Sequence, residues 1–266
     1  MHLLMDVGNT ETVVGLTRPP EPGQADVVEV VTHWRFATRT ERTPDEVRIL
    51  LRALLEDRGL APSQVDRVVV GSVVPSVTES LRMAWRDNGN PEILVVDHGS
   101  PLPIRLDVEE PRTVGADRIV NTLAASTLYQ RDTIIVDLGT ATTYDCITAD
   151  GVFEGGVIAP GVRAGQEWLS GRTAKLPPVE LRPPERVIGR RTETCLHSGI
   201  FYSAVDSVDG VVRRIRAEWG RPDALVVATG GYASRIAEHS DTVAHVEPLL
   251  TLHGLELAGR HVARRR

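Results

Sequence analysis

Two short stretches of this sequence carry the residue types that could handle phosphate. Asp6-Val7-Gly8-Asn9-Thr10 and Asp137-Leu138-Gly139-Thr140 each follow an apolar run directly. A glycine in such a turn lets backbone N–H groups approach a phosphate with no Cβ in the way, and the hydroxyls of Thr10 and Thr140 can donate to its oxygens. The carboxylates of Asp6 and Asp137 would repel a bare phosphate, so they make sense only with cations between. One Asp-x-Gly turn is an ordinary hairpin. Two of them, each opening a matching set of strands about half a chain apart, point to phosphate chemistry.

Two further segments could complete a site. Ala228-Thr229-Gly230-Gly231 ends one apolar run and precedes a helical one, where paired glycines permit close approach of a flat ligand such as adenosine. The same residues would also serve a tight strand-to-helix connection. Val114-Gly115-Ala116-Asp117-Arg118 places an acid beside a base where the first half of the chain meets the second. Phosphoryl transfer to a hydroxyl needs a carboxylate to accept the proton and a cation to fix an acidic acceptor. Asp117 and Arg118 fit those roles, although a carboxylate here equally suits a helix N-terminus. The glycine-rich run Gly155-Gly156-Val157-Ile158-Ala159-Pro160-Gly161 reads either as a substrate-covering loop or as a bend where a strand ends. The eight histidines form no metal-ligand spacing, and neither a Gly-x-Ser-x-Gly elbow nor a P-loop occurs.

The elements that must position these residues follow from hydrophobic spacing. Leu3–Val7 and Thr12–Leu16 flank Gly8-Asn9 as a hairpin, and a third strand covers Val27–Phe36. Thr43-Pro44-Asp45-Glu46 supplies an N-cap, a first-turn proline and a capping-box glutamate. Val47, Leu50, Leu51, Leu54 and Leu55 then recur at helical spacing until Gly59. A strand over 68–74, a helix over 76–86 and a strand over 93–96 complete a β-β-β-α-β-α-β order. The second half repeats it: a helix over 116–129, strands over 133–138, 142–148 and 151–158, helices near 164–169 and over 192–219, strands over 224–228 and 242–246, and a last helix from about Thr251. Leu176–Arg186, with four prolines, reads as a loop. The order, met twice, implies an α/β protein of duplicated ribonuclease-H-like domains of the actin-like ATPase type, residues 1–115 and 116–266, each a mixed sheet with flanking helices.

Composition narrows the function classes. The 266 residues suffice for two compact domains. Apolar and charged fractions of 41% and 25% are those of a soluble globular protein. A net charge of −6 argues against a nucleic-acid surface, and the closing Arg264-Arg265-Arg266 reads as a frayed end. No stretch has the apolar length of a membrane span or a signal peptide. Cys146 and Cys195 lie in apolar segments and read as buried reduced thiols, which suits the cytoplasm.

Taken in order, these segments resemble the type III pantothenate kinases over nearly the whole chain. The matching set is Asp6–Thr10, Gly115-Ala116-Asp117-Arg118-Ile119-Val120-Asn121, Asp137-Leu138-Gly139-Thr140-Ala141-Thr142-Thr143, Gly155–Gly161, Ala174-Lys175-Leu176-Pro177, Val187-Ile188-Gly189 with Thr192, and Thr229-Gly230-Gly231. The resemblance implies transfer of the γ-phosphate of ATP to the terminal hydroxyl of pantothenate, the first step of coenzyme A synthesis. By it, Asp117 is the general base, and Gly115, Ala116 and Arg118 hold pantothenate. Asp6, Val7, Gly8, Asn9, Thr10, Glu11, Thr12 and Val13 hold the ATP phosphates, with Mg²⁺ at Asp6. Thr140 contacts ATP, and Asp137 binds a monovalent cation, K⁺ or NH₄⁺. Thr192 reaches pantothenate from a partner subunit, so a homodimer is expected.

Three positions depart from the family pattern. Val108 stands nine residues before Asp117, where members often have a pantothenate-lining tyrosine. Asp97-His98-Gly99-Ser100-Pro101-Leu102-Pro103 lacks the lysine and threonine of the usual Gly-Pro-Gly-x-Lys-Thr-Gly stretch. Glu11 replaces the usual asparagine and adds negative charge near the phosphates. The altered Asp97–Pro103 stretch and Val108 motivate a second reading, a weak or inactive nucleotide-binding regulatory homologue, against which the retained Asp117 and Arg118 argue.

Overall fold

The protein is described by a computed structural model covering residues 1–19, 28–86, 91, 93–172, 176–177 and 179–263. Val27, Ala174, Lys175 and the arginines at 264–266, named above, lie outside these residues. The first half builds β1 (His2–Val7), β2 (Glu11–Thr17), β3 (Val30–Ala37), α1 (Pro44–Glu56), β4 (Arg67–Ser72), α2 (Pro75–Trp85) and β5 (Ile93–Val96). Its sheet order is β3-β2-β1-β4-β5, with β1 antiparallel to β2 and parallel to β4. One face is covered by α1 and α2. Their Val47, Leu51, Leu55, Leu81 and Trp85 are buried with Leu3, Met5 and Val70 of the sheet. Helix α1 starts where its sequence says it must: Thr43 Oγ1 accepts from the Glu46 amide, and the Glu46 carboxylate accepts from the Thr43 amide at 2.8 Å.

A short strand β6 (Arg105–Leu106) and the helix α3 (Ala116–Tyr129) follow. The second half then builds β7 (Thr133–Leu138), β8 (Ala141–Ile147), β9 (Val152–Pro160), α4 (Val162–Arg172), α5 (Thr192–Trp219), β10 (Leu225–Thr229), α6 (Ala233–Ala237) and β11 (His245–Val246), before α7 (Leu250–Ala263). Within this half the strand order is β11-β10-β7-β8-β9. It repeats the 3-2-1-4-5 pattern of the first sheet, so the duplicated ribonuclease-H-like topology is present. Its core gathers Ile134, Val136, Tyr144, Phe201, Val208 and Val226.

The division of the chain differs from the expected 115/116 boundary. The two compact units are Met1–Leu128 with the returning helix α7, and Tyr129–Leu249. Packing in the first unit explains the shift. Gly15 and Gly71 leave space on the sheet face opposite α1 and α2, and Leu252 and Leu255 of α7 occupy it, 2.7 and 3.1 Å from where a Cβ would stand. Gly254 runs against the backbone of Val120 in α3, where any side chain would collide. Helices α3 and α7 thus cover the open face of the first sheet.

Three smaller expectations are also corrected. Gly155–Pro160 is neither loop nor bend but part of β9, paired with β8 up to Ala141. Strand β11 is only two residues long, because the Asp241 and Thr242 amides donate to the Asp209 carboxylate (3.0 and 3.1 Å) instead of joining a ladder. Cys146 is buried as expected, but Cys195 is exposed, on an outward side of the first turn of α5. Among the described residues, no helix is long and apolar enough to cross a membrane.

Candidate active site

The first Asp-x-Gly turn closes the top of β1 and β2. The Gly8 amide donates to the Glu11 carbonyl at 3.0 Å, which fixes the turn from inside. From outside, Thr38 at the end of β3 holds it twice: its Oγ1 donates to the Gly8 carbonyl at 2.7 Å and its amide to the Thr10 carbonyl at 2.9 Å. The Thr12 hydroxyl is buried against Thr38 Oγ1 at 2.8 Å, and the Val7 side chain is buried in the core. Of the run Asp6–Val13, the side chains of Asn9, Thr10 and Glu11 are exposed and that of Asp6 is half-buried. Glu11 is not an uncompensated charge, since Arg35 of β3 donates to its carboxylate at 2.6 Å.

The segment Gly115–Arg118 stands at the start of α3 in the same unit. The Gly115 carbonyl accepts the Ile119 amide at 3.1 Å, so α3 begins here, and Asp117 Oδ1 accepts the Arg118 amide at 2.9 Å. Asp117 therefore also serves the helix start. The position of that start is what matters for chemistry. A Cβ on Gly71 would stand 3.7 Å from the Ala116 Cβ, and Gly71 is the ladder partner of Asp6. The Val73 amide, one residue past β4, donates to the Val7 carbonyl. The ends of β1 and β4 and the N-terminus of α3 thus converge, so Asp6 and the helix start that carries Asp117 lie at the same end of the first sheet. Gly115 makes room for the carboxylate: a Cβ there would lie 2.4 Å from Asp117 Oδ1, which would have to turn away. Val108 is half-buried in the segment leading to α3.

The second turn repeats the first. The Gly139 amide donates to the Ala141 carbonyl at 3.1 Å, as Gly8 does to Glu11. Strands β1 and β7 bury the same positions, leaving Asp6 and Asp137 alike half-buried at the fifth. Two residues of the Ala228–Gly231 segment stand beside Asp137. Thr229 is its ladder partner, and Gly230 follows with φ +90°, a backbone state that a side chain rarely adopts. A Cβ on Gly230 would stand 2.5 Å from Asp137 Oδ1 and 2.8 Å from the Leu138 backbone, so only glycine lets the chain pass this close to Asp137. Gly161, at the end of β9, is pressed against the Thr140 carbonyl, and Gly231 and Thr140 are exposed.

Thr192 belongs to a different element, α5. It is the exposed first residue of α5 and lines a cleft of about 600 Å³ within the second unit, together with Thr142, Tyr144, Gly161, Leu196 and Ser207. Burial pushes the Tyr144 hydroxyl up, so it stays a proton donor. Ile158, Trp168, Val187 and Ile188 of the same unit are largely exposed, Ile188 to 82%.

Sequence reasoning missed Thr38, Arg35 and Gly71. Thr38 lies just past an alternating strand and reads as a loop hydroxyl. Gly71 reads as an interior strand residue, and only its pairing with Asp6 reveals its part. The ion pair of Arg35 with Glu11 crosses strands 24 residues apart and leaves no local signal.

Known proteins resemble this chain in sequence and in fold. The family model described as type III pantothenate kinase matches residues 2–214. A curated type III pantothenate kinase from an Exiguobacterium species is 42% identical over 257 residues, covering 97% of each chain. Another, from Moorella thermoacetica, is 41% identical over 258 residues, covering 97% of this chain and 98% of that one. Among solved structures, the activator of the 2-hydroxyisocaproyl-CoA dehydratase from Clostridium difficile, with bound ADPNP, matches with a TM-score of 0.52 at 12% identity, covering 99% of this chain and 96% of that one. At that identity the likeness is one of fold.

Proposed function

This chain belongs to the type III pantothenate kinase family, and on that premise we propose that it transfers the γ-phosphoryl group of ATP to the terminal hydroxyl of pantothenate, yielding 4'-phosphopantothenate and ADP for coenzyme A synthesis. The observation that carries the reading is the placing of Asp117 at the start of α3, against the strand that pairs with the Asp6 turn. A new bond forms between the pantothenate hydroxyl oxygen and the γ-phosphorus, while the bond from that phosphorus to the β,γ-bridging oxygen breaks. The hydroxyl proton passes to the Asp117 carboxylate as the oxygen attacks. Exposed amides and the Asn9 and Thr10 side chains of the Asp6–Val13 run hold phosphate oxygens, and Thr140 with Gly230 and Gly231 holds the nucleotide in the second unit. Gly115, Ala116 and Arg118 fix pantothenate, with Val108 as an apolar wall in place of a tyrosine.

The carboxylates suit hard cations. Asp6 would hold Mg²⁺ with the ATP phosphates, and Asp137, against which Gly230 is closely packed, would hold K⁺ or NH₄⁺. Such cations supply positive charge that offsets the phosphates and the aspartates. A homodimer is part of this reading, with Thr192 reaching the partner subunit's pantothenate. The exposed Ile158, Trp168, Val187 and Ile188 support it, since apolar side chains grouped on one unit mark an association surface. With pantothenate and ATP as its small-molecule partners and no apolar span in its described helices, the enzyme would work in the cytoplasm.

The test is incubation with ATP, Mg²⁺, K⁺ and pantothenate, with phosphopantothenate followed by mass spectrometry. Product that requires both ATP and pantothenate is expected. A folded chain that binds ATP and forms none overturns the reading.

A further inference from the structure

Strand β3 presents an arginine to the sheet face that carries Asp6. In the two antiparallel ladders Asp6 stands opposite Val13, and Val13 opposite Arg35. Directly opposite residues project on the same face, so Asp6, Val13 and Arg35 form one row across three strands. Two strand spacings separate the backbones of Asp6 and Arg35, about 10 Å, which an arginine side chain shortens by more than half. Glu11, two residues before Val13, shares the face and accepts from Arg35 Nη1 at 2.6 Å. The side chains of Arg35 and Glu11 are 37% and 46% exposed, and an ion pair that open contributes little to stability. Stability therefore does not account for a five-donor planar fork beside a turn built for phosphate. Strand β3 is also fixed to that turn, through the two bonds of Thr38, so Arg35 keeps its place relative to it.

We propose that Arg35 is a nucleotide-phosphate contact of this chain, held ready by Glu11 and shared with phosphate oxygens when ATP binds. This rests on the kinase reading of the turn and adds to it a residue outside the Asp6–Val13 run. It also gives the unusual Glu11 a role: its carboxylate orients the fork, and the fork offsets the charge that the carboxylate brings near the phosphates.

The experiment is titration calorimetry of the full chain with Mg²⁺ and ATP, ADP or adenosine. Arg35→Ala is expected to weaken ATP and ADP about tenfold, the usual size of a lost charge-assisted contact, and to leave adenosine unchanged. The same substitution in a Glu11→Gln background is expected to cost ATP affinity again. If it then changes nothing, Arg35 serves only Glu11 and the proposal falls. It falls as well if adenosine weakens as much as ATP. Arg35→Gln, which keeps the stem and removes the charge, reads the same loss should the alanine variant not fold, and Arg35→Lys recovers part of it. A wild-type chain that binds ATP through Arg35 yet makes no phosphopantothenate sinks the kinase reading and leaves this one standing.

Discussion

Asp117 combines two duties that a single substitution can separate. Its Oδ1 accepts the Arg118 amide at the start of α3, a bond that an asparagine side chain can also make. Asparagine cannot accept a proton from a hydroxyl. Asp117→Asn is therefore expected to lower kcat by about 10² to 10⁴, the usual worth of a positioned base, with an unchanged melting temperature. Asp117→Ala is expected to lose the helix contact as well and to melt earlier. If Asp117→Asn kept full activity, the carboxylate would be a cap and nothing more. Gly230 makes a second prediction at this scale. Adding a methyl group there forces a φ of +90° on a residue with a Cβ and places that Cβ 2.5 Å from Asp137 Oδ1. Gly230→Ala is expected to cost about 1–3 kcal/mol in stability and to raise the K⁺ concentration needed for half-maximal activity. A K⁺ titration of the kinase assay, paired with a thermal melt, reads both.

Helix α7 is held by a buried charge network. Glu256, fully buried, accepts from Arg260 Nε at 2.8 Å and Thr17 Oγ1 at 2.8 Å, and lies 2.9 Å from His2 Nδ1. Burial alone would push its carboxyl up. The bonds and charge of His2, with those of Arg260 and Thr17, outweigh burial and hold it below its ordinary value of 4.5. A carboxyl depressed in the folded state adds stability above its unfolded pKa, and that stability is lost as the pH falls through the folded value. The melting temperature should accordingly decline below about pH 4.5. Glu256→Gln should flatten that decline while costing about 3 kcal/mol near neutrality, where it leaves Arg260 without its counter-charge. Thermal melts from pH 3 to pH 7 decide it. The network was not legible in the sequence, because His2 and Glu256 are 254 residues apart and a helical pattern does not say which sheet it will cover. Helix α1, by contrast, could be placed from Thr43-Pro44-Asp45-Glu46, since its signals are local. The twin Asp-x-Gly turns were legible for the same reason. The meeting of Asp117 with the Asp6 turn was readable only through family resemblance, as it depends on Gly71, a residue with no chemistry of its own.

For the whole molecule, two measurements test what belongs to neither unit alone. Light scattering is expected to give the mass of a dimer. Ile188→Asp, a charge placed on the most exposed of the large apolar side chains, is expected to shift it toward the monomer and to raise the KM for pantothenate. A dimer unaffected by that change would put the interface elsewhere. The return of α7 bears on the birth of the protein as well as on its shape. Residues 129–249 form a continuous unit that can close as soon as the ribosome releases them, whereas the unit containing Met1 still lacks its covering helix. The half made first is thus finished last, with the hollows at Gly15 and Gly71 open to solvent until residues 250–263 emerge. A chain interrupted just before Leu250 would carry a complete second unit beside an unroofed first one, and that bare sheet face would mark it for chaperones and proteases.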